Sequence, residues 1–289
     1  MTTTPAPTPF GVRLREAMDE FGPLCAGLDP HRALVESWGL DYSVAGLERF
    51  AMTCVEAFGG HVAVVKPQSA FFEVFCSPGI RVLEQALAGL RAAGTLVLLD
   101  AKRGDIGSTM QAYAEAYLGT DSPIAADAVT LSPFLGYGSL RPALDLAEAT
   151  GRGVFVLALT SNPEGPQVQH AVLDERSVAA SIVDGAAADN AEAVARGELG
   201  SVGVVIGATV GAAVRDLGLD LVAAGTPVLA PGFGAQGGSV ESIRAVFGAA
   251  LPHVLASSSR EVLAAGPDVA SLRAAAVDTA YRLRELFAG

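Results

Sequence analysis

The sequence predicts an α/β fold of the (β/α)8, or TIM-barrel, class. Eight short apolar runs, rich in β-branched residues, alternate along the chain with longer amphipathic segments. Strands that alternate with helices in this way are parallel and are joined by right-handed crossovers. Because eight such units fit within 289 residues, a closed barrel is favoured over an open sheet.

The eight predicted strands are short and mostly apolar on both faces, which is typical of strands buried between a barrel interior and a layer of helices. In chain order they are PLCAGLD from Pro23, HVAVVKP from His61, TLVLLDAK from Thr95, DAVTLS from Asp127, GVFVLALTS from Gly153, VGVVIGAT from Val202, PVLAPG from Pro227 and HVLASSS from His253.

The segments between the strands carry helix signals. PGIRVLEQALAGLRAAG predicts a helix that starts at Pro78 and stops at Gly94. Ser43, and either Ser108 or Thr109, are predicted N-caps because their hydroxyls can accept a bond from a free backbone N–H group. The closing segment, VASLRAAAVDTAYRLRELF, predicts a long amphipathic helix.

Residues 10–289 are predicted to form one catalytic barrel domain, preceded by a flexible tail of residues 1–9. The tail is rich in Thr and Pro and lacks the basic and apolar regions of a signal peptide. No apolar run approaches the roughly 20 residues of a membrane helix, so no membrane association is expected. The 3 cysteines are odd in number and lie in unrelated contexts, which favours free thiols and a cytoplasmic location.

The charge pattern narrows the ligand class. A formal net charge of −12 argues against nucleic-acid binding by a basic surface, and an anionic small ligand would need a local positive site. Of the 19 basic residues only two are lysines, Lys66 and Lys102, and both follow apolar runs. Lysine can donate a proton or form an imine, whereas arginine stays protonated. Both lysines are therefore candidate catalytic residues.

Charged residues gather where the third predicted strand ends. In LVLLDAKRGDIGST, from Leu96, the apolar run is followed by Asp100, Lys102 and Asp105. Barrel active sites lie at the C-terminal ends of the strands, and alternation along a strand turns Asp100 and Lys102 to the same side. Lys66 and Asp29 end the neighbouring strands. The alternative is a network of salt bridges that only closes the barrel end.

A second cluster predicts an anion site. APGFGAQGG, from Ala230, follows the seventh strand, and SSSR, ending at Arg260, follows the eighth. Loops after strands seven and eight commonly hold phosphate in this fold, and arginine can bind phosphate through two hydrogen bonds. The alternative is a flexible loop with a surface arginine.

The segment D-A-K-R-G-D-I-G-S-T, from Asp100, closely resembles the D-x-K-x-x-D-I-x-x-T signature of orotidine 5′-phosphate decarboxylases, in the longer bacterial form. LCAGLDP, VVKPQSAFFE, TSNPEG, APGFGAQGG and SSSR extend the resemblance over nearly the whole barrel. The resemblance implies conversion of orotidine 5′-phosphate to uridine 5′-phosphate and CO₂ in pyrimidine biosynthesis, by a homodimer that needs no cofactor and no metal.

The resemblance also implies roles for individual residues. Lys66, Asp100, Lys102 and Asp105 would form the catalytic charge array, with Lys102 protonating C6 of the pyrimidine. The implied substrate-binding residues are Asp29 and Lys66 for the ribose, Ser161 for the pyrimidine, Pro231, Gln236 and Gly237 in and beside a lid loop, and Arg260 for the phosphate. Ile106 and Thr109 would join Asp105 in reaching the active site of the neighbouring subunit.

Three other functions stay open on the sequence. A Mg²⁺-dependent sugar-phosphate lyase shares a similar D-x-K-x-x-D run, but it needs an acidic ligand where this chain has Lys66. A Schiff-base aldolase would need a neutral Lys102, which the flanking carboxylates disfavour. A non-catalytic nucleotide-binding module is the third. The four histidines are scattered without metal-ligand spacing, and Phe71 and Phe72 are predicted to pack rather than to line the pocket.

Overall fold

The computed structural model describes residues 6–233 and 240–288, and these form a closed barrel of eight parallel strands in sequential order, with the last strand paired to the first. The predicted (β/α)8 class is confirmed, and each predicted strand overlaps an observed one. The strands, β1 to β8 in chain order, are Leu24–Leu28, Val64–Pro67, Leu96–Arg103, Ala128–Leu131, Gly153–Leu159, Val202–Ile206, Val228–Pro231 and Val254–Ser258.

Helices surround the barrel. In chain order, α1 to α13 are Phe10–Phe21, Arg32–Ser37, Val44–Phe58, Ala70–Glu73, Cys76–Ala92, Gly107–Leu118, Arg141–Ala149, Pro166–Gln169, Val178–Ala195, Ala213–Asp216, Val240–Phe247, Arg260–Leu263 and Val269–Ala288. Two 3₁₀ helices, Tyr137–Leu140 and Gly248–His253, precede α7 and β8. In the part of the chain described here, no helix is both long and apolar enough to cross a membrane.

The barrel interior changes character from one end to the other. The interior toward the N-terminal ends of the strands is apolar. Helix α1 closes this end of the barrel, where the Phe10 ring packs edge-on against the Phe155 ring with centroids 6.0 Å apart. Gly153 leaves room for this plug, because a Cβ there would lie 2.3 Å from the Phe10 ring. Nearer the C-terminal end the interior surrounds a cavity lined by polar and charged as well as apolar side chains, so this mouth of the barrel is the candidate for ligand binding.

The helix ends test the predicted caps. Ser43 does cap α3, since its hydroxyl accepts from the Gly46 N–H at 3.2 Å. The prediction of Ser108 or Thr109 as a cap is wrong, because α6 already begins at Gly107 and both residues lie in its first turn. Helix α5 begins at Cys76, two residues before the predicted Pro78, because proline is tolerated in a first turn.

The segment after β5 holds structure that the sequence did not predict. Helix α8 is followed by an antiparallel hairpin of Val172–Leu173 and Arg176–Ser177, with Asp174 and Glu175 in the left-handed backbone region of the turn. At the other end of the chain, Pro7 lies against Gly151. The division into a tail of residues 1–9 and one domain stays a prediction.

Candidate active site

The C-terminal mouth of the barrel contains a cavity of about 480 Å³. All eight strands, or the residues directly after them, contribute to its wall. Its lining comprises Asp29, His31, Lys66, Gln68, Phe71, Asp100, Lys102, Thr130, Leu157, Leu159, Thr160, Ser161, Val205, Gly207, Leu229, Pro231, Gly232, Phe233, Ser257, Ser259 and Arg260. The apolar lining residues of β5, β6 and β7 form one side of the cavity, and the charged residues at the ends of β1, β2 and β3 form another.

The charged side is built around Asp100. Its Oδ2 atom lies 3.0 Å from the Lys66 ammonium and its Oδ1 atom lies 2.5 Å from the Lys102 ammonium. Lys66 also lies 4.0 Å from Asp29 Oδ1, an oxygen that is buried and has no hydrogen-bond partner among the described residues. Charges of opposite sign thus alternate across the ends of three strands, which offsets the cost of burying them.

Burial and pairing act against each other on these groups. Burial disfavours the carboxylate of Asp100, but the ammonium groups of Lys66 and Lys102 outweigh it and lower the pKa to about 2. Burial also disfavours the ammonium of Lys66, but the carboxylates of Asp29 and Asp100 raise its pKa well above the ordinary value. Asp100 is therefore ionised and Lys66 protonated throughout the neutral range.

Lys102 occupies an unusual backbone position. Its φ is +47°, in the left-handed region that a non-glycine residue occupies at a cost of roughly 1–2 kcal/mol. It lies in a bulge, because Leu99 pairs with Val129 but Arg103 pairs with Leu131. Bulges next to active sites commonly redirect a side chain. The Lys102 side chain stays 44% exposed, so a ligand in the cavity can reach its ammonium group.

Two neutral residues complete the surroundings of Asp100, and neither is among the site residues predicted from the sequence. The Thr130 hydroxyl donates to Asp100 Oδ1 at 2.9 Å. The Gln68 amide, oriented so that its nitrogen faces the carboxylate, donates to Oδ2 at 2.7 Å. Thr130 lies two positions after the interior residue Ala128, and Gln68 lies two positions after Lys66. Since side chains two positions apart on a strand share a face, alternation could have placed both residues on the inner face of the barrel.

The predicted binding residues of the pyrimidine and phosphate regions partly fall on this cavity. Ser161, Pro231 and Arg260 line it, as does Asp29. Gln236 and Gly237 lie outside the described residues. Phe72 is buried as predicted, but the packing prediction for Phe71 is wrong, since its ring lines the cavity and lies 4.2 Å from the ring of His31.

The segment after Ser161 folds back onto the end of β5. Gln169 of α8 accepts from the Thr160 N–H at 2.9 Å through its amide oxygen, and it donates to the Thr160 hydroxyl at 2.7 Å. This pair of bonds connects α8 to the residue directly before Ser161, which lines the cavity.

The predicted residues beyond Lys102 do not join the cavity of their own chain. Asp105 forms no ion pair with any residue in the described ranges, and its Oδ1 atom accepts from the Ile106 N–H at 2.8 Å. Ile106 is 61% exposed, and Thr109 is exposed on α6. None of the three lines the cavity.

The donor set of the mouth bears on the metal-dependent alternative. Across residues 6–233 and 240–288, no group of three or more His, Cys, Asp or Glu side chains is arranged to hold a metal ion. Near the end of β2, the ammonium of Lys66 lies 3.0 Å from Asp100 and 4.0 Å from Asp29, so it occupies the point at which a metal ion would have to bind both carboxylates. The positive charges of the Lys66 ammonium and of a metal ion would repel each other at this point.

Comparison with known proteins agrees with this geometry. Residues 22–275 match the model of the orotidine 5′-phosphate decarboxylase / HUMPS family. An orotidine 5′-phosphate decarboxylase of Salinispora arenicola is 60% identical over 92% of this chain and 94% of its own length. That of Streptomyces coelicolor is 58% identical over 96% of this chain and 97% of its own.

A solved structure shows the same agreement in three dimensions. A crystal structure of a Streptomyces avermitilis protein assigned to the same activity superposes with a TM-score of 0.94, at 55% identity, over 100% of this chain and 99% of that one. The resemblance inferred from the Asp100–Thr109 motif is thereby confirmed, and the chain belongs to the orotidine 5′-phosphate decarboxylase / HUMPS family.

Proposed function

We propose that this chain converts orotidine 5′-phosphate to uridine 5′-phosphate and CO₂, with Lys102 as the proton donor to C6. Family membership and relatives at 57–60% identity support a cofactor-independent carboxy-lyase. The observation that carries the catalytic assignment is the Lys102 ammonium, paired with Asp100 at 2.5 Å and open to the cavity.

The chemistry matches these residue types. Cleavage of the bond between C6 and the carboxylate leaves the electron pair on C6, in the plane of the ring, where the π system cannot delocalise it. An adjacent ammonium stabilises this developing negative charge and then transfers a proton to C6. Asp100, which lies 2.5 Å from the ammonium, holds it in place.

The remaining cavity residues would bind the parts of the nucleotide that do not react. Asp29 and Lys66 would contact the ribose, Ser161 the pyrimidine and Arg260 the phosphate. Asp29 supports this assignment because its buried Oδ1 atom has no hydrogen-bond donor within the described structure and can accept a hydrogen bond from a ribose hydroxyl. Binding energy from the phosphate, which is remote from C6, can be used to organise the site for the transition state.

We further propose a two-fold dimer in which Asp105, Ile106 and Thr109 complete the partner's site. Two observations support it. Asp105 does not reach Lys102 of its own chain, and the exposed apolar side chains of Ile106, Phe134 and Leu135 follow β3 and β4 at the same mouth. Phe134 is 77% exposed, and apolar groups in such a patch are typical of protein interfaces.

We also propose a cytoplasmic location for the protein. The free cysteines Cys25, Cys54 and Cys76 support it.

An absorbance assay with orotidine 5′-phosphate tests the reaction directly. We expect the loss of substrate absorbance, with stoichiometric uridine 5′-phosphate, at an unchanged rate after treatment with EDTA. Loss of activity in EDTA, restored by Mg²⁺, would favour the metal-dependent lyase. Covalent trapping of a carbonyl substrate by borohydride would favour the aldolase. Binding of uridine 5′-phosphate without any turnover would leave a nucleotide-binding module.

Arg260 is exposed at the mouth of the cavity, so replacing it with alanine should weaken binding of phosphorylated ligands by roughly 1.5–3 kcal/mol, the scale of a hydrogen bond to a charged group. Titration calorimetry with uridine 5′-phosphate measures the loss. Uridine, which has no phosphate, should bind the variant and the parent equally weakly.

Arg196→Ala is the matched control for Arg260→Ala. It removes one surface arginine on the loop before β6, at the opposite end of the barrel, where Arg196 pairs with Glu198 at 2.8 Å. Its affinity for uridine 5′-phosphate should equal that of the parent. If both variants bound the nucleotide like the parent, Arg260 would not be a phosphate ligand.

A further inference from the structure

The bulge that carries Lys102 is held by one side chain from the neighbouring strand. The Thr130 hydroxyl accepts from the Ala101 N–H at 3.1 Å and from the Lys102 N–H at 3.0 Å. It also donates to Asp100 Oδ1 at 2.9 Å. One donor and two acceptor sites are all that a hydroxyl has, so each bonding position of Thr130 is used.

These three bonds replace the ladder that the bulge interrupts. Regular pairing of β3 with β4 holds at Leu99 and resumes at Arg103, which leaves the intervening residues without strand partners on β4. Thr130 is 1% exposed, so water cannot take over its contacts. Valine has the same shape as threonine but no hydroxyl. In its place, the N–H groups of Ala101 and Lys102 and the Oδ1 atom of Asp100 would each lose one hydrogen bond.

We infer that Thr130 is a positioning residue for decarboxylation, which sets the backbone of Lys102 and the carboxylate of Asp100 together so that the ammonium meets C6. The inference rests on the proposed function. Thr130 lines the cavity next to both residues, but its hydroxyl has no bonding position left for the substrate, so it acts through Lys102 and Asp100.

The chain contains a matched buried threonine whose role is structural. Thr226 is 0% exposed, and its hydroxyl donates to the Val202 carbonyl at 2.8 Å, just before β7 begins. That position lies at the N-terminal end of the barrel, away from the cavity lining. Thr226→Val therefore removes a buried barrel hydroxyl without touching the catalytic bulge.

The test compares Thr130→Val, Thr130→Cys and Thr130→Ser with Thr226→Val in steady-state decarboxylation assays and thermal unfolding. We expect Thr130→Val to lower kcat by about 10- to 100-fold, the range seen when a group that orients a reacting residue is lost, with KM changed less than about threefold. Thr130→Ser should retain kcat within about threefold, and Thr130→Cys, whose thiol is a weaker and longer donor, should fall between them. Thr226→Val should lower Tm and leave kcat unchanged.

Each outcome separates this inference from the proposed function. An active parent with equal kcat in Thr130→Val would overturn the positioning role and leave the proposed function intact. If Thr130→Val does not fold, the comparison of Thr130→Ser with Thr130→Cys decides, since equal kcat in these two would also overturn the role. A parent that cannot decarboxylate orotidine 5′-phosphate would overturn both.

Discussion

Replacement of Lys102 with arginine is expected to lower kcat by roughly 10³-fold or more, while uridine 5′-phosphate still binds. Arginine keeps the positive charge opposite Asp100, so the local field and the pairing survive. It does not readily release a proton at neutral pH, and positioned proton transfer alone contributes about 10²- to 10⁴-fold. The guanidinium is also larger than the ammonium, which lies 2.5 Å from Asp100 Oδ1, so its charge is centred farther from that carboxylate even though the pair is kept.

Two measurements separate loss of chemistry from loss of structure in Lys102→Arg. Calorimetry should show an affinity for uridine 5′-phosphate within about fivefold of the parent, because the phosphate and ribose contacts remain. Exchange of the C6 proton of uridine 5′-phosphate with deuterated solvent, followed by NMR, should be lost, because the proton donor in one direction is the base in the other. A variant that kept more than a few per cent of parental kcat would remove Lys102 from the role of proton donor.

Mixing two inactive variants is expected to restore about a quarter of the parental activity per site. Take Lys102→Ala and Asp105→Ala, each nearly inactive alone. If Asp105 serves the partner's site, a mixed dimer has one site with both lesions and one with neither. Random exchange makes about half of the dimers mixed, so about a quarter of all sites are intact, by the counting that two-fold symmetry imposes.

The mixing experiment needs proof of exchange and has a clear opposite outcome. Native mass spectrometry of isotope-labelled subunits shows when mixed dimers have formed. If Asp105 acted in its own chain, every site would keep one lesion, and confirmed exchange would bring no recovery. A matched control mixes Lys102→Ala with Asp100→Ala. Because these two residues contact each other within one chain, each site of that mixed dimer keeps a lesion and stays inactive.

The sequence by itself determined the barrel and the identity of most charged residues at its mouth. Apolar runs bounded by helix signals were enough to predict all eight barrel strands. The reason is that an apolar run is buried whichever side chains it packs against. Strand alternation predicted Asp100 and Lys102 on one side, and both line the cavity, although Lys102 reaches it from a bulge and not from a regular strand position. The Asp100–Thr109 motif pointed to the family, since several residue types at defined spacings rarely recur by chance.

Local signals were weaker at element ends. Ser43 caps its helix as expected, but Ser108 and Thr109 do not, although all three residues have the side chains that caps require. The difference is the start of α6, which begins at Gly107 after β3 has ended at Arg103, so that Ile106 takes the N-cap position.

Only the tertiary structure decided how the charges are held. The register shift between β3 and β4 brings the Thr130 hydroxyl to Asp100 and to the Lys102 backbone, and the closeness of β2 brings Gln68 to the same carboxylate. The tertiary structure also places Phe71 in the cavity lining and leaves Asp105 out of it. The reason is that hydrogen bonds and register between strands join residues that are 28–34 positions apart, and alternation within one strand carries no information about its partner.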